Sequence, residues 1–468
     1  MRTQGPGSDE RDLSGVSVAV IGLGASGVAA ARLAAAKGGD VYVSDARTDD
    51  AVAARGADLG KSGIVVELGR HDLERIARAG LVVASPGIPP DAPVLRALAE
   101  RGVRWISEPE LAARFYSGSL IAVTGTNGKT TVTLLVDHLL RAAGIRCAAG
   151  GNVGGGLAPA ASDLARVDDP PDWIVVEMSS FQLAGVQTFR PDIGVVTNLS
   201  PDHLDRYPSV EAYYADKARL FDNADADSVW VLPAGDASVE GLAEGAAGTR
   251  YYFGEGPASH AFLDRKMLTL RFGGEIEPLV PRSELLLLGA HNVDNALAAA
   301  LVARLAGAAA GGLAAGLGAA KPLPHRLEPV RYSGDVLWVN DSKATNVAAT
   351  RSALESLSHP IVLLLGGKDK GEPFAPLGPT IAGRVRRVLA YGAVAPRAAR
   401  ELIEALGSGT GVDVEIVEGP LDRVVSRAAE VAHPGDVILL SPACSSFDMY
   451  ESYEHRGRHF TELAQGAA

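Results

Sequence analysis

This chain of 468 residues has almost no cysteine and no excess of basic residues. Its two cysteines, Cys147 and Cys444, stand far apart without metal-ligand spacing. That excludes a disulfide scaffold and a thiolate metal site, and it fits a reducing compartment. Lys and Arg number 44 against 56 Asp and Glu, a net charge of −12. Such a balance argues against nucleic acid as the main partner. No uninterrupted apolar run reaches membrane-spanning length, and even the alanine-rich stretch after Ala296 is broken by Arg304 and by glycines. No membrane partner is therefore expected. Residues 1–11 are polar and glycine-containing with no apolar signal core, so a loose tail and a cytoplasmic protein are expected. No internal repeat of solenoid length stands out.

Apolar material is plentiful, at 47%, and the length suggests two to four domains of about 150 residues. The most informative stretch is 120–131. There Leu120, Ile121, Ala122 and Val123 lead into Thr124, Gly125, Thr126, Asn127, Gly128, Lys129, Thr130 and Thr131. Val132, Leu135, Val136 and Leu139 then share one helical face, and Gly144 stands where a cap belongs. The pattern predicts strand, loop and helix. Free N–H groups and the positive end of the helix dipole favour a phosphate there. Lys129 supplies a mobile cation, and the Thr130 hydroxyl can ligate magnesium. The loop is short, because Val123 occupies the place of the first glycine in the usual phosphate-binding loop.

A second nucleotide signature comes earlier. A strand at 16–21 runs into Gly22, Gly24 and Gly27, an alanine-rich helix follows, and a strand at 41–44 ends at Asp45. This is the dinucleotide-binding fingerprint, which alone says NAD-dependent oxidoreductase. The glycines only supply a tight turn and close approach to a diphosphate, and the acid only holds a ribose or base. A UDP group satisfies the same chemistry, so both readings stay open. The strand at 81–84 ends in Ser85, Pro86 and Gly87, of the kind that lines a ligand crevice.

Further along, Asn152 is the polar side chain of a glycine-rich loop, and the apolar run 173–176 ends in Glu177. An acid closing a strand beside a phosphate loop is where nucleotide-bound magnesium is held. His203 sits between Asp202 and Asp205 past the strand 193–197, which suits metal coordination or substrate contact. Lys217 follows Tyr213 and Tyr214 into a helical run. A strand is expected at 284–288 and a long helix at 296–305, opened by Asn292 and Asn295, which could cap it or read a base. Pro322 and Pro324 break the chain into a linker. Beyond it, strands at 336–339, 361–365, 388–391, 414–417 and 437–440 alternate with helices, and polar residues gather at their carboxyl ends.

In order and spacing, these segments resemble the Mur ligases, ATP-dependent amide-forming enzymes of peptidoglycan synthesis, over about 16–460. The short 125–130 loop is the family's own. Asn127 is unlike the member that adds the first L-alanine, and the 22–27 loop and the 441–448 segment are most similar to members that join D-glutamate to UDP-N-acetylmuramoyl-L-alanine. The resemblance implies an α/β protein of three domains. These are a Rossmann-like UDP-binding domain at 12–112, a central P-loop ATPase-type mononucleotide-binding domain at 113–322, and a Rossmann-like amino-acid-binding domain at 323–468. It also implies a hinge at 322–324, a monomer, and ATP with two magnesium ions as cofactors.

By the same resemblance, Gly125, Thr126, Asn127, Gly128, Lys129, Thr130 and Thr131 would cradle ATP, with Asn292, His325, Arg326 and Asp341 sharing its other parts. Thr130, Glu177, His203 and Lys217 would hold the metals, Lys217 as a carbamate, and Lys129, Glu177, His203 and Lys217 would be catalytic. Gly24, Ala25, Ser26, Asp45, Arg47, Ser85, Gly87 and Asn152 would line the UDP-substrate site. Lys343, Thr345, Lys370, Ser446, Phe447 and Tyr453 would receive D-glutamate. The alternatives are an NAD-dependent oxidoreductase, which explains only the first domain, or a ligase of this family that adds a different amino acid.

Overall fold

The short run Ser17–Ile21 (β1) has every residue after its first fully buried, so it has the apolar character of a central strand. It pairs in parallel with Asp40–Asp45 (β2) on one side and Leu81–Ala84 (β4) on the other. Val65–Leu68 (β3) and Ile106–Ser107 (β5) complete a five-stranded sheet of order β3-β2-β1-β4-β5. The order reverses between β1 and β4. Open sheets bind ligands at the carboxyl ends of such a pair, and the 22–27 loop and Ser85 sit there. The computed structural model describes residues 12–89, 92–154, 156–202, 206–407 and 409–467. The expected tail at 1–11 and the candidate His203 lie outside the described residues.

The second sheet is built around Ser119–Thr124 (β6), whose neighbours are Trp173–Glu177 (β8) and Ile193–Val196 (β9). Cys147–Gly151 (β7) forms one edge. Val229–Pro233 (β10), Thr249–Phe253 (β11) and Ala261–Asp264 (β12) extend the other side in parallel. Met267–Phe272 (β13) and Glu275–Pro281 (β14) add an antiparallel edge. The helix Lys129–Ala142 buries Val132, Leu135, Val136, Leu139 and Leu140, spaced three and four apart as one face requires. It ends as expected, with Gly144 at φ +79°.

The third sheet has the order β15-β16-β20-β17-β18-β19. Its strands are Glu328–Ser333 (β15), Val336–Asn340 (β16), Ile361–Gly366 (β17), Val385–Tyr391 (β18), Asp413–Ile416 (β19) and Val437–Leu440 (β20). Every residue of β17 and β20 is buried, because helices cover both faces. By their internal contacts the residues divide into two compact units. One comprises Met1–Arg282 with Asp294–Ala319, the other Ser283–Val293 with Ala320–Ala468. Among the described residues no helix is long and apolar enough to cross a membrane.

One expected strand is absent. Residues 285–288 form no ladder, although Leu285 and Leu287 are buried while Leu286 is 51% exposed. The apolar run that suggests a strand is buried at alternate residues, but it anchors a connecting segment. The long helix also starts earlier than expected, at Ala290.

Candidate active site

The 22–27 loop is held by Asp45. The Asp45 carboxylate accepts the Leu23 N–H at 2.7 Å and the Arg47 N–H at 2.9 Å, and it also takes Arg47 Nη2 at 2.8 Å and Nε at 3.1 Å. Burial works to raise this carboxyl, but those donors outweigh it and bring it down to about 2. Ser85 closes the other wall, since a side chain at Gly22 would lie 2.9 Å from its Cβ. The structure thus brings Gly24, Ser26, Asp45, Arg47 and Ser85 to one end of the first sheet, with Ala25 and Gly87 exposed beside them. Asn152 instead directly follows β7 of the second sheet. Its N–H donates to the Glu177 carbonyl at 2.9 Å and its side chain is exposed.

The phosphate loop is tightly built. Gly125 has φ +133° and Gly128 φ +82°, conformations that favour glycine. A side chain at Gly125 would overlap the Thr197 hydroxyl, and one at Gly128 would overlap the Asn295 amide. The segment after β9 braces the loop from outside. Asn198 Oδ1 accepts the Asn127 N–H at 3.0 Å, Thr197 Oγ1 donates to the Asn127 carbonyl at 2.5 Å, and the Ser200 N–H reaches Thr126 Oγ1 at 3.0 Å. Lys129 Nζ donates to the Gly125 and Thr126 carbonyls at 3.0 and 2.7 Å. Thr130 is buried in the first turn of the helix, and Thr131 is half-buried after it.

Lys217 reaches the same point from another direction. It lies on the helix Val210–Ala218, is 1% exposed, and donates from Nζ to the Gly125 carbonyl at 2.7 Å. The Tyr213 ring packs 4.6 Å from its nitrogen, and the Tyr213 hydroxyl lies 3.3 Å from Thr126 Oγ1. Burial, then the positive charge of Lys129, push the Lys217 amine well below the usual lysine range, against the pull of Asp202, Asp216 and Glu177. Glu177 is buried at the end of β8, opposite Val123 in the parallel register. Two lysine amines, one of them disfavoured as a cation, and a buried carboxylate therefore surround one phosphate-type loop.

The candidates of the second unit cluster at the carboxyl ends of β16, β17 and β20. Lys343 Nζ donates to the Tyr453 hydroxyl at 3.0 Å, and Lys370 Nζ to the Thr345 carbonyl at 2.8 Å. The Lys368 N–H donates to the Ser445 carbonyl at 2.9 Å, which ties the loop after β17 to the residue preceding the buried Ser446. Phe447 is 65% exposed next to it. Asp341 is buried and takes the Leu327 N–H at 3.2 Å and the Ser441 hydroxyl at 2.8 Å, and burial pushes its carboxyl up to about 7. His325, at φ +63°, sits 3.0 Å from Asn340 Nδ2, and burial lowers its pKa. Arg326 is half-buried beside it. Asn292 donates to the Leu288 carbonyl at 2.7 Å, a bond within its own turn.

Family models match along the chain in the same order. The Mur ligase MurD-like N-terminal domain matches 16–107, the Mur ligase middle domain 123–303, and the Mur ligase glutamate ligase domain 325–444. The UDP-N-acetylmuramoylalanine–D-glutamate ligase of Acidobacterium capsulatum is 42% identical, over 98% of this chain and 98% of its own. The chain belongs to the Mur ligase family. The ligase of the same name from Anaeromyxobacter dehalogenans is 43% identical over 97% of this chain and 98% of its own. A solved pseudomurein peptide ligase type C from Methanothermus fervidus shares the fold, with a TM-score of 0.58 at 21% identity over 96% and 99% of the two chains. Mur ligases are ATP- and magnesium-dependent, so this chain is an ATP-dependent ligase and the oxidoreductase alternative falls.

Three residues that this Mur ligase builds around its sites are not singled out by the sequence patterns, and a fourth has a different role from the one they suggest. Thr197 and Asn198 directly follow a strand beside the phosphate loop, a position that could have flagged them. Asn295 had been noted only as a possible cap or base reader, yet it packs on Gly128. Arg456 reads as an ordinary helix arginine, yet it is fully buried.

Proposed function

We propose that this Mur ligase adds D-glutamate to UDP-N-acetylmuramoyl-L-alanine in peptidoglycan precursor synthesis, using residues 12–112 for the UDP group, 113–322 for ATP and 323–468 for the amino acid. The observation that carries the chemistry is the convergence of Lys129 and Lys217 on the Gly125 carbonyl, beside buried Glu177. A carboxylate is a poor electrophile for an amine because its leaving group would be oxide. The L-alanyl carboxylate of the substrate therefore attacks the γ-phosphorus of ATP and becomes an acyl phosphate, releasing ADP. Lys129 and the loop N–H groups offset the charge that spreads over the transferring phosphoryl group. The D-glutamate amine then attacks the acyl carbon, loses a proton, and expels phosphate from a tetrahedral intermediate.

The donors suit magnesium in part. The Thr130 hydroxyl and Glu177 carboxylate are hard oxygen ligands next to the phosphate loop, and His203 joins them by family resemblance. An ammonium cannot ligate a cation, so Lys217 fits the second metal only as a carbamate. Its burial and the nearby Lys129 favour the neutral amine that carbon dioxide requires. When bound, magnesium would neutralise phosphate charge. Asn292, His325, Arg326 and Asp341 would complete the ATP contacts, and Lys343, Thr345, Lys370, Ser446, Phe447 and Tyr453 would receive the acceptor.

The test is phosphate release from Mg-ATP with bicarbonate present. The sugar nucleotide is supplied with D-glutamate, with L-glutamate, or with no amino acid. Turnover only with D-glutamate is expected. Turnover with another amino acid alone would reassign the pocket, and phosphate release that needs no acceptor would overturn the ligase mechanism.

A further inference from the structure

A buried arginine stands behind the loops assigned above to the acceptor. Arg456 lies near the start of the helix Tyr453–Gly466, and none of its surface reaches solvent. Its Nε donates to Ser342 Oγ at 2.9 Å and its Nη2 to the Ser342 carbonyl at 2.8 Å. Nη1 and Nη2 each reach the Cys444 carbonyl at 3.2 Å. On a third side, a side chain at Gly367 would come 3.1 Å from Nη1. One guanidinium thus touches the loops that follow β16, β20 and β17. Ser342 precedes Lys343, and Cys444 lies two residues before Ser446.

The acceptors are all neutral oxygens, and among the described residues no carboxylate forms an ion pair with Arg456. A buried cation without an anionic partner is expensive, and a neutral side chain could tie loops together without that cost. The charge makes sense when an anion arrives from solvent. An acidic amino acid brings two carboxylates to the loops that Arg456 holds.

We propose that Arg456 is a positioning residue for the acceptor. It fixes the loops carrying Lys343 and Ser446, and its charge, hydrogen-bonded only to neutral oxygens, favours an amino acid with an acidic side chain. This rests on the D-glutamate reading above.

The full-length enzyme, with Arg456→Met, Arg456→Lys and Ser342→Ala variants, is assayed for the KM of each substrate. Arg456→Met is expected to raise the KM for D-glutamate at least about tenfold, with the KM values for ATP and the sugar nucleotide within about twofold of wild type. Arg456→Lys keeps the charge and recovers much of that loss. Ser342→Ala removes one anchor but not the charge, and gives a rise of about threefold. The proposal is overturned if all three KM values rise together, if a folded Arg456→Met leaves the D-glutamate KM unchanged, or if Arg456→Lys does no better than Arg456→Met. Should Arg456→Met not fold, unchanged D-glutamate KM values in both other variants overturn it equally. A wild-type enzyme that ignores D-glutamate but uses another amino acid refutes the D-glutamate reading instead, and the same series with that acceptor still decides the role of Arg456.

Discussion

Replacing Asp45 by alanine separates the scaffold role of this carboxylate from any direct contact with ligand. The Leu23 N–H would lose its acceptor within a buried loop, which costs about 1–3 kcal/mol. The ion pair with Arg47, whose side chain is 57% exposed, adds roughly 1 kcal/mol or less. Holding the carboxyl at about 2 instead of 3.8, the work of these same Leu23 and Arg47 donors, corresponds to ~2.5 kcal/mol. The folded-state value lies below the unfolded one. This stability is therefore fully present above about pH 4 and is lost as the pH falls towards 2. Two measurements check it: hydrogen exchange at Leu23 and its neighbours, and denaturant unfolding of wild type and Asp45→Ala from pH 3 to 7. Faster exchange over 22–27, and a stability gap of about 2–4 kcal/mol at pH 7 that narrows in acid, are expected. Unchanged exchange, or a gap independent of pH, would refute the reasoning.

Three further outcomes follow from the geometry. Gly125→Ala should abolish ATP-dependent turnover and also lower stability, because a methyl group there meets the Thr197 hydroxyl at a backbone conformation L-residues avoid; nucleotide-binding calorimetry on the folded variant reads the loss of binding directly. Removing carbon dioxide and bicarbonate should lower turnover reversibly, and Lys217→Arg should be insensitive to bicarbonate and at least about a hundredfold slower, since a guanidinium forms no carbamate under these conditions. Glu110 is fully buried and accepts the Gln187, Thr188 and Phe189 N–H groups and the Thr188 hydroxyl, so Glu110→Ala should destabilise the protein by roughly 3–5 kcal/mol in denaturant unfolding at neutral pH.

Local patterns were legible wherever they carried their own physics. The phosphate loop, its helix and its cap needed only glycine positions and helical periodicity, and the structure has them within a residue or two. The buried strands β8 and β20 lie where their apolar runs stand. Less legible were the strands between Val229 and Pro281, where short polar-flanked segments become strands only by pairing with one another. Leu285 and Leu287 show the reverse, alternating burial with no partner strand to form a ladder.

The sequence by itself determined which backbone turns exist, since glycine and helix-capping chemistry act over a few residues. It also determined the family, because that rests on the order of many such segments. Tertiary structure alone decided what the charged side chains do. Asp45 serves its own loop before any ligand, because the chain folds Leu23 and Arg47 onto it. Lys217, on a helix remote in sequence, becomes a buried amine beside Lys129, and Arg456 becomes a buried cation joining three loops. A side chain's charge is written in the sequence, but its solvation and its partners depend on distant residues that only folding brings together.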